Sequence, residues 1–298
     1  MWFWLSIITL LCWSGSDLFS KIGCRDSRDR YSHLKMVIAV GTVMGLHAAF
    51  EIFVSGVEIN MAVILTYLPV SLLYILSMTL GYVGLRYIEL SISSPICNSS
   101  GAITALLCFL FLGQRMTGLQ LGAVLLISAG ILVLAVLEKR QADAQRLLAG
   151  ETPDKKYTRS VLAILFPILY CLIDGLGTFS DSFVLDVVMD EITANLSYEF
   201  TFLLMAVFAF CWLTFVKKER FHPLREKTKF AAALCETAGQ FSYVFALSGN
   251  AIVAAPTIAS YSIFSALWAR LFLKEKLTKA QYAVIALVMV GIAILGVE

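Results

Sequence analysis

Residues 240–298 read QFSYVFALSGNAIVAAPTIASYSIFSALWARLFLKEKLTKAQYAVIALVMVGIAILGVE, and the chain carries a second version of this stretch at residues 79–137. With a constant offset of 161 and no gap, 16 of the 59 positions are identical. A shared apolar composition would produce leucine and alanine matches, but it would not align rarer residue types in register. The aligned pairs include Tyr82/Tyr243, Pro95/Pro256, Thr117/Thr278, Gln120/Gln281 and Gly130/Gly291. The second part of the chain therefore repeats the first.

Each copy predicts the same helical hairpin. A helix is expected to open near the proline, because proline is tolerated in a first turn, where its missing N–H would have no partner. An apolar run follows and ends before Thr117 or Thr278. Each threonine is followed three residues later by glutamine, and this spacing is typical of a capping box at the start of a helix.

The composition is that of a membrane protein. Hydrophobic residues make up 59% of the chain and charged residues only 15%, whereas charged residues are about 25% of a soluble domain. Apolar runs of about 20 residues, enough to cross a hydrocarbon layer of about 30 Å, recur along the chain. The expected surroundings are a lipid bilayer, and the net charge of +2 gives no reason to expect a nucleic acid partner.

Ten membrane spans are expected in an all-helical fold. The polar segment 139–160 reads as a cytoplasmic linker, so residues 1–138 would form a first repeat of five helices and residues 161–298 a second. Because five is odd, the second repeat enters the membrane from the opposite side. The fold class predicted is therefore ten transmembrane helices arranged as two inverted-topology repeats, a construction frequent in secondary transporters. The expected spans are 2–22, 34–54, 63–86, 92–112, 118–138, 161–185, 195–216, 229–248, 253–273 and 279–297.

The basic residues predict an orientation. Of the 23 lysines and arginines, all except Arg115 lie in or beside alternate loops, those that follow the odd-numbered spans. Loops rich in lysine and arginine face the cytoplasm. Both chain termini are therefore expected outside the cell, with the protein in the plasma membrane.

Together these features resemble the EamA-type transporters of the drug/metabolite transporter superfamily. The resemblance rests on the two inverted copies and on the sequence Leu-Lys-Glu-Lys-Leu-Thr at 273–278, which leads into the helix of Gly291. It implies a basket of helices with the fourth and ninth near the centre and the fifth and tenth at the periphery. It also implies a carrier of small metabolites, often proton-coupled and often an exporter. The family's usual glutamate is Gln114 in the first copy, and its mid-helix proline is Ser100 and Tyr261 here.

Acidic residues inside predicted spans are the strongest functional candidates, because a charge within a membrane is costly and usually functional. Asp17, Asp174 and Glu236 lie deep in spans 1, 6 and 8, and Asp181 is a weaker fourth candidate. The first three are the candidate proton-coupling residues. The alternative is that each carboxyl group is protonated or hydrogen-bonded and only holds helices together.

Aromatic and amide side chains accompany these acids at helical spacing. Trp13 precedes Asp17 by one turn, and Tyr170 stands in the same relation to the aspartate of span 6, so each pair shares a helix face. Four further candidates come from spans 4, 8 and 9, namely Asn98, Gln240, Tyr243 and Tyr261. An aromatic face beside a carboxylate suits an organic cation, although lipid contacts and packing are the common alternative.

Other chemistries find little support. His33 and His222 lie in basic loops, and His47 has no predicted partner, while Glu51 and Glu199 are placed near the outer ends of spans and are expected to be interfacial. No spacing of metal ligands, phosphate-binding loop or paired nucleophile and base is present, so neither a metal, a cofactor nor an enzymatic activity is expected.

The sequence therefore predicts a secondary active transporter of a small polar solute, with an organic cation or amine favoured. The small-molecule site would lie between the repeats, with protons or Na⁺ as the coupling ion. An amino-acid or metabolite exporter is the nearest alternative. A lipid-linked carrier flippase and a non-transporting membrane scaffold are possibilities of a different class.

Overall fold

The computed structural model describes residues 1–24, 29, 31–84, 97, 99–148, 161–274 and 276–297. These residues are helical with short connections, and no strand occurs among them. The helices are α1 (Trp2–Gly23), α2 (Ser32–Phe53), α3 (Met61–Gly84), α4 (Ser100–Phe111), α5 (Gly118–Leu148), α6 (Val161–Val187), α7 (Glu191–Cys211), α8 (Lys227–Ala259), α9 (Tyr261–Phe272) and α10 (Lys279–Val297). A π-helical turn, Trp212–Val216, extends α7, and a short 3₁₀ turn, Pro223–Arg225, precedes α8.

Seven helical segments in the described part of the chain are long and apolar enough to cross a membrane. They are Trp2–Gly23, Ser32–Phe53, Gly118–Gln141, Leu165–Val187, Glu191–Val216, Lys227–Phe272 and Lys279–Val297. Two shorter apolar segments, Met61–Ser77 and Ser100–Phe111, fall below that length. The protein is thus all-helical and multi-spanning, and the count of ten spans stays a prediction.

Both predicted capping boxes are present. The backbone N–H of Thr117 donates to Gln120 Oε1 at 3.0 Å, and the backbone N–H of Gln120 donates to Thr117 Oγ1 at 3.1 Å. The same reciprocal pair joins Thr278 and Gln281, at 2.6 and 3.3 Å. Each pair satisfies two donors that the first turn of α5 or α10 would otherwise leave free.

The turns before these caps also repeat. Gly113 and Lys274, which are 161 positions apart, both have a left-handed backbone, with φ of 64° and 58°. Such a conformation is natural for glycine and uncommon for lysine. Upstream, Ser99 and Ser260 occupy the N-cap positions of α4 and α9, each of 12 residues. The repeat therefore extends from sequence identity to backbone conformation.

The kink at Asn250 (φ −170°, ψ 79°) falls in the predicted gap between the eighth and ninth spans, residues 249–252. Pro256 lies six residues beyond the kink, inside α8, and not in the first turn as expected, and the chain breaks again at Ser260. Gln114 Oε1 accepts a hydrogen bond of 3.1 Å from the backbone N–H of Ile252, just beyond the kink. This side chain supplies the acceptor that the broken helical ladder cannot. The equivalent Pro95 lies outside the described residues.

Helices α5 and α10 form a self-complementary contact. A Cβ on Gly130 would lie 2.1 Å from Val288 Cγ2, and a Cβ on Gly291 would lie 2.9 Å from Ile127 Cγ1. Ile127 and Val288 are related by the same offset of 161 as the two glycines. Each helix thus places its glycine against the branched residue of the other, as expected for two equivalent surfaces around a two-fold axis.

The other large contacts join the N-terminal helices (α1–α5, the first half) to the C-terminal helices (α6–α10, the second half). Helix α1 packs against α8, α3 against α6, and α2 against α7. At the last contact, Gly41 and Gly45 let α2 approach closely, since a Cβ on Gly41 would lie 2.3 Å from the carbonyl oxygen of Phe202. Small residues four apart commonly permit such packing between membrane helices.

The contact between α5 and α10 predicts the effect of adding one methyl group. Gly130→Ala should lower the free energy of unfolding by about 1–3 kcal/mol, because the new Cβ overlaps Val288. Reversible unfolding in mixed detergent micelles, followed by far-ultraviolet circular dichroism, measures the change.

Gly122→Ala, in the same helix, is the matched control, because nothing lies within 4 Å of its added Cβ. This variant should be neutral or slightly stabilised, since alanine favours helix over glycine by about 1 kcal/mol. Val288→Ala should rescue Gly130→Ala. Equal stability of the two alanine variants would contradict the close approach.

Candidate functional site

Two of the three predicted deep acids meet between α1 and α8, the most extensive helix contact in the described structure. Asp17 Oδ2 accepts a hydrogen bond of 2.7 Å from Ser265 Oγ on α9. Glu236, on α8, contacts Ser16 and lies close enough to Asp17 to interact with it electrostatically. Both acids remain partly accessible, although buried residues surround them. Two carboxyl groups from different halves of the chain therefore share one site.

Three aromatic rings form a contact series that begins beside these acids, since Tyr261 interacts electrostatically with both Asp17 and Glu236. The centroid of Trp13 lies 5.0 Å from that of Tyr243 with the rings tilted by 35°, and 5.9 Å from that of Tyr261 in an edge-to-face arrangement. Trp13 rests on the backbone of α8, because a Cβ on Gly239 would lie 2.5 Å from Trp13 Cδ1. We call Trp13, Asp17, Glu236, Tyr243 and Tyr261 the α1–α8 cluster.

Asp174 lies in a second polar group, between α6 and α3. Its Oδ1 accepts a hydrogen bond of 3.2 Å from Ser77 Oγ, and Ser100 on α4 also contacts it. Tyr261 lies close enough to Asp174, Asp17 and Glu236 to interact electrostatically with all three. The structure thus divides the acids between two neighbouring sites, whereas the sequence predicted a single one.

Asp181, the weakest candidate from the sequence, belongs to the second group and accepts hydrogen bonds from two tyrosines. It is completely buried, and it accepts hydrogen bonds of 2.7 Å from Tyr67 and 3.3 Å from Tyr74. The Tyr74 hydroxyl also lies 2.7 Å from that of Tyr243, which donates to Thr178 Oγ1 at 3.2 Å. This chain of hydroxyl groups connects Asp181 to the α1–α8 cluster.

The sequence contains a signal for this network, although the predicted site did not include it. Tyr67 and Tyr74 are seven residues apart on α3, as Asp174 and Asp181 are on α6. Residues seven apart lie two turns along the same helix face. Matching these two spacings would have predicted that α3 and α6 present complementary faces.

The remaining predicted residues have different surroundings. Gln240 is buried, and no hydrogen-bond partner for its Nε2, or for Trp13 Nε1, occurs among the residues that the structure describes. Tyr170 is half-buried on α6, one turn before Asp174. Asn98 lies outside the described residues. Two buried donors therefore accompany the acids of the α1–α8 cluster.

The interfacial placement of Glu199 is wrong, and so is the isolation of His47. Glu199 is completely buried, with its carboxylate oxygens 2.9 and 3.0 Å from His47 Nδ1. Asn195 Nδ2 donates to the same carboxylate at 3.0 Å. No local sequence pattern indicates this pair, because its members lie 152 residues apart.

A charged cluster lies at the opposite end of α2. Lys35 pairs with Asp29 at 3.0 Å and with Glu226 at 3.7 Å. Lys229, at the start of α8, pairs with Glu226 and donates to the carbonyl oxygen of Gly23 at 2.9 Å. These contacts join the ends of α1, α2 and α8 across the two halves.

The model of the EamA-like transporter family matches residues 1–136 and 161–297. The chain belongs to the EamA-like transporter family. This EamA-like protein is therefore a multi-pass membrane transporter of the drug/metabolite transporter superfamily, and it acts on a small molecule.

Solved structures share the fold of this EamA-like transporter. One of 28 matching chains, described only as the crystal structure of a protein, aligns with a TM-score of 0.67 over 96% of this chain and 97% of its own. Its sequence identity is 15%, so the likeness concerns the fold alone. No curated protein sequence gives a significant match. Among the described residues, no group of three or more histidine, cysteine, aspartate or glutamate side chains is placed so that it could hold a metal ion.

Proposed function

We propose that this protein is a secondary active transporter that carries an organic cation or amine by alternating access of two inverted five-helix halves. The observation that carries the proposal is the α1–α8 cluster, in which Asp17 and Glu236 from opposite halves interact with Tyr261, whose ring contacts Trp13 and, through it, Tyr243. Among the described residues, the basic group that interacts with Asp17 is Lys21, one turn along α1, and no ion pair joins them.

The pattern of helix contacts supports the inverted repeat. If α1 corresponds to α6 and α3 to α8, the packing of α1 on α8 is equivalent to that of α6 on α3. The contacts of α2 with α7 and of α5 with α10 each relate a helix to its own counterpart. A two-fold axis lying in the membrane plane would produce this set of pairs, and such repeats place substrate sites between the halves.

The charge pattern supports an orientation with both termini outside the cell, in the plasma membrane. The cluster of Lys35 and Lys229 belongs to the loops rich in lysine and arginine, which we assign to the cytoplasm. In protein that retains Cys24 as its one cysteine, a membrane-impermeant maleimide should label this exposed residue only from the cytoplasmic side. Val297→Cys in a cysteine-free protein should be labelled only from outside. The opposite pair of results would reverse the orientation and leave the inverted repeat intact.

Electrostatics favours a cation as the substrate. A cation in the α1–α8 cluster would gain its counter-charge from the carboxylates and up to about 2 kcal/mol from a well-placed, desolvated ring. An anion 4 Å from a carboxylate would be repelled by about 4 kcal/mol at an effective dielectric constant of 20. A zwitterion would additionally need donors for its carboxylate.

Two buried N–H donors without a partner among the described residues, on Trp13 and Gln240, narrow the class of cation that would suit the site. A buried N–H without an acceptor costs about 1–3 kcal/mol, and Trp13 Nε1 and Gln240 Nε2 are both such donors. A cation that also carries a hydroxyl, carbonyl or ether oxygen could accept from them. The same donors favour an amino-acid or metabolite exporter as the second candidate function.

A flippase for a lipid-linked carrier and a non-transporting scaffold fit the site less well. A lipid-linked carrier would bring a phosphate group toward the partly accessible Asp17, Asp174 and Glu236, where repulsion opposes it. A non-transporting scaffold gives no reason for carboxylates that remain accessible between packed helices.

Coupling to protons follows from the same carboxylates. A proton and a cationic substrate would compete for the Asp17–Glu236 pair, so release of one would accompany binding of the other. Glu236→Gln should therefore reduce uptake driven by a pH gradient at least about tenfold, because the amide cannot exchange a proton. A tenfold change corresponds to a free-energy difference of about 1.4 kcal/mol. Uptake of a choline-type or guanidinium-type cation into proteoliposomes provides the measurement.

Glu58→Gln, at an exposed loop position, is the matched control and should retain full uptake. Uptake that stays pH-dependent in folded Glu236→Gln protein would move the coupling role to Asp174 or Asp17. If uptake follows a Na⁺ gradient instead, Na⁺ is the coupling ion.

Binding to the purified protein should follow the order cation, zwitterion, anion. Choline should also bind about tenfold more tightly than propyltrimethylammonium, which has a methyl group in place of the hydroxyl, because only choline can accept from Gln240. Calorimetric titration of both ligands measures the difference.

Gln240→Leu should abolish that tenfold preference while leaving the affinity for propyltrimethylammonium unchanged. An anion that binds more tightly than every cation, and equally well to Asp17→Asn, would exclude the cation site. The family assignment would stand in either case.

A further inference from the structure

A second set of titratable residues lies apart from the α1–α8 cluster, between α2 and α7. His47 is bracketed by two carboxylates, with Nδ1 at 2.9 Å from Glu199 and Nε2 at 3.8 Å from Glu51. The Glu199 side chain is 0% exposed, that of His47 27% and that of Glu51 15%. The site therefore joins two partly accessible residues of α2 to a fully enclosed one on α7.

The site is within the membrane-spanning part of the fold. His47 precedes the end of α2 at Phe53 by six residues, a distance of about 9 Å along the axis at 1.5 Å per residue. At this depth a carboxylate costs free energy unless a positive charge or hydrogen bonds offset it. Asn195 provides one hydrogen bond to Glu199, and His47 provides the other partner.

No other charged group of the described neighbouring helices takes part. Helix α8, which also packs on α2, presents the ring of Phe241 to His47, with centroids 5.4 Å apart. Its charged residues Lys229 and Glu236 face the Asp29–Glu226 cluster and the residues of α1 instead. The charge of His47 is therefore governed by the two glutamates.

Because the site lies between the two halves, the protonation of His47 affects how strongly the halves attract each other. Helix α2 belongs to the first half and α7 to the second, and they pack closely through Gly45 and Leu203, next to the site. A protonated His47 attracts both Glu199 across the junction and Glu51 on its own helix. A neutral ring keeps at most one donated hydrogen bond and leaves Glu199 without a counter-charge.

We propose that Glu51, His47 and Glu199 form a proton-binding site at the junction of α2 and α7, and that its proton holds the two halves together there. His47, the most exposed of the three, carries the proton, Glu51 flanks it on the same helix, and Glu199 is the buried anion that the proton neutralises. Neither the α1–α8 cluster nor a bound substrate is needed for this role, so the site can be tested without transport.

The thermal midpoint of the purified full chain, measured between about pH 5 and 8, tests the proposal, because an ordinary imidazole changes charge in this range. The wild-type midpoint should fall as pH rises and the bridging charge is lost, by about 2–4 °C or more. His47→Gln and Glu199→Gln should each remove this pH-dependent fall. Where either single variant fails to fold, the double variant replaces a charged pair by two neutral amides and should be folded and insensitive to pH.

His222→Gln is the matched control, because His222 is exposed in the loop before α8. This variant should keep the full pH-dependent fall of the wild type. A fall that persists unchanged in His47→Gln or in the double variant would overturn the proposal. So would a fall that disappears in His222→Gln, since the loop histidine would then be its source.

Discussion

Four carboxylates of the described helices, those of Asp17, Asp174, Asp181 and Glu199, are each held by a side chain from the other half of the chain. Asp17 of the first half accepts from Ser265 of the second, and Asp174 of the second accepts from Ser77 of the first. The same relation holds for Asp181 with its two tyrosines and for Glu199 with His47. A buried carboxylate that loses its donor becomes costly. The two halves are thus joined by these carboxylates, whose free energy rises when the halves move apart and the donors are lost.

Under the proposed transport cycle, this arrangement would connect the relative motion of the two halves to protonation. If one half moves against the other, the donors of the first half leave the acids of the second, and these acids must then bind water, a proton or a cation. Under the proposed transport cycle, the partly accessible Asp17 and Glu236 would take a substrate at that point, whereas Asp181 and Glu199 are enclosed. The enclosed acids are therefore suited to hold a state, and the accessible acids to exchange ligands.

The sequence predicted what depends on local chemistry. The capping boxes at Thr117 and Thr278 follow from residues three positions apart, and the structure confirms both. The glycines of α5 and α10 could be aligned from the repeat, although their mutual contact could not. The donor to Glu199 was missed because a hydrogen bond between residues 152 positions apart leaves no periodic signal. The kink at Asn250 falls in the predicted gap between the eighth and ninth spans, but the hydrogen bond from Ile252 to Gln114, in the connection between α4 and α5, left no local signal.

The glycines and capping residues that build the fold are repeated, while acids within the helices, such as Glu236 and Asp181, are not. The position of α3 that corresponds to Glu236 is Ile75, and the position of α1 that corresponds to Asp181, at the offset of 160 between the first helices of the two halves, is Lys21. In an inverted pair of identical halves, exchanging the conformations of the halves would give an inward-facing state equal in free energy to the outward-facing one. Unequal acids remove that equality, because a different set of carboxylates would lose its donors in each state. Under the proposed transport cycle, the binding of a proton or a cation can then favour one state over the other, since a ligand shifts such an equilibrium only by its difference in affinity for the two states.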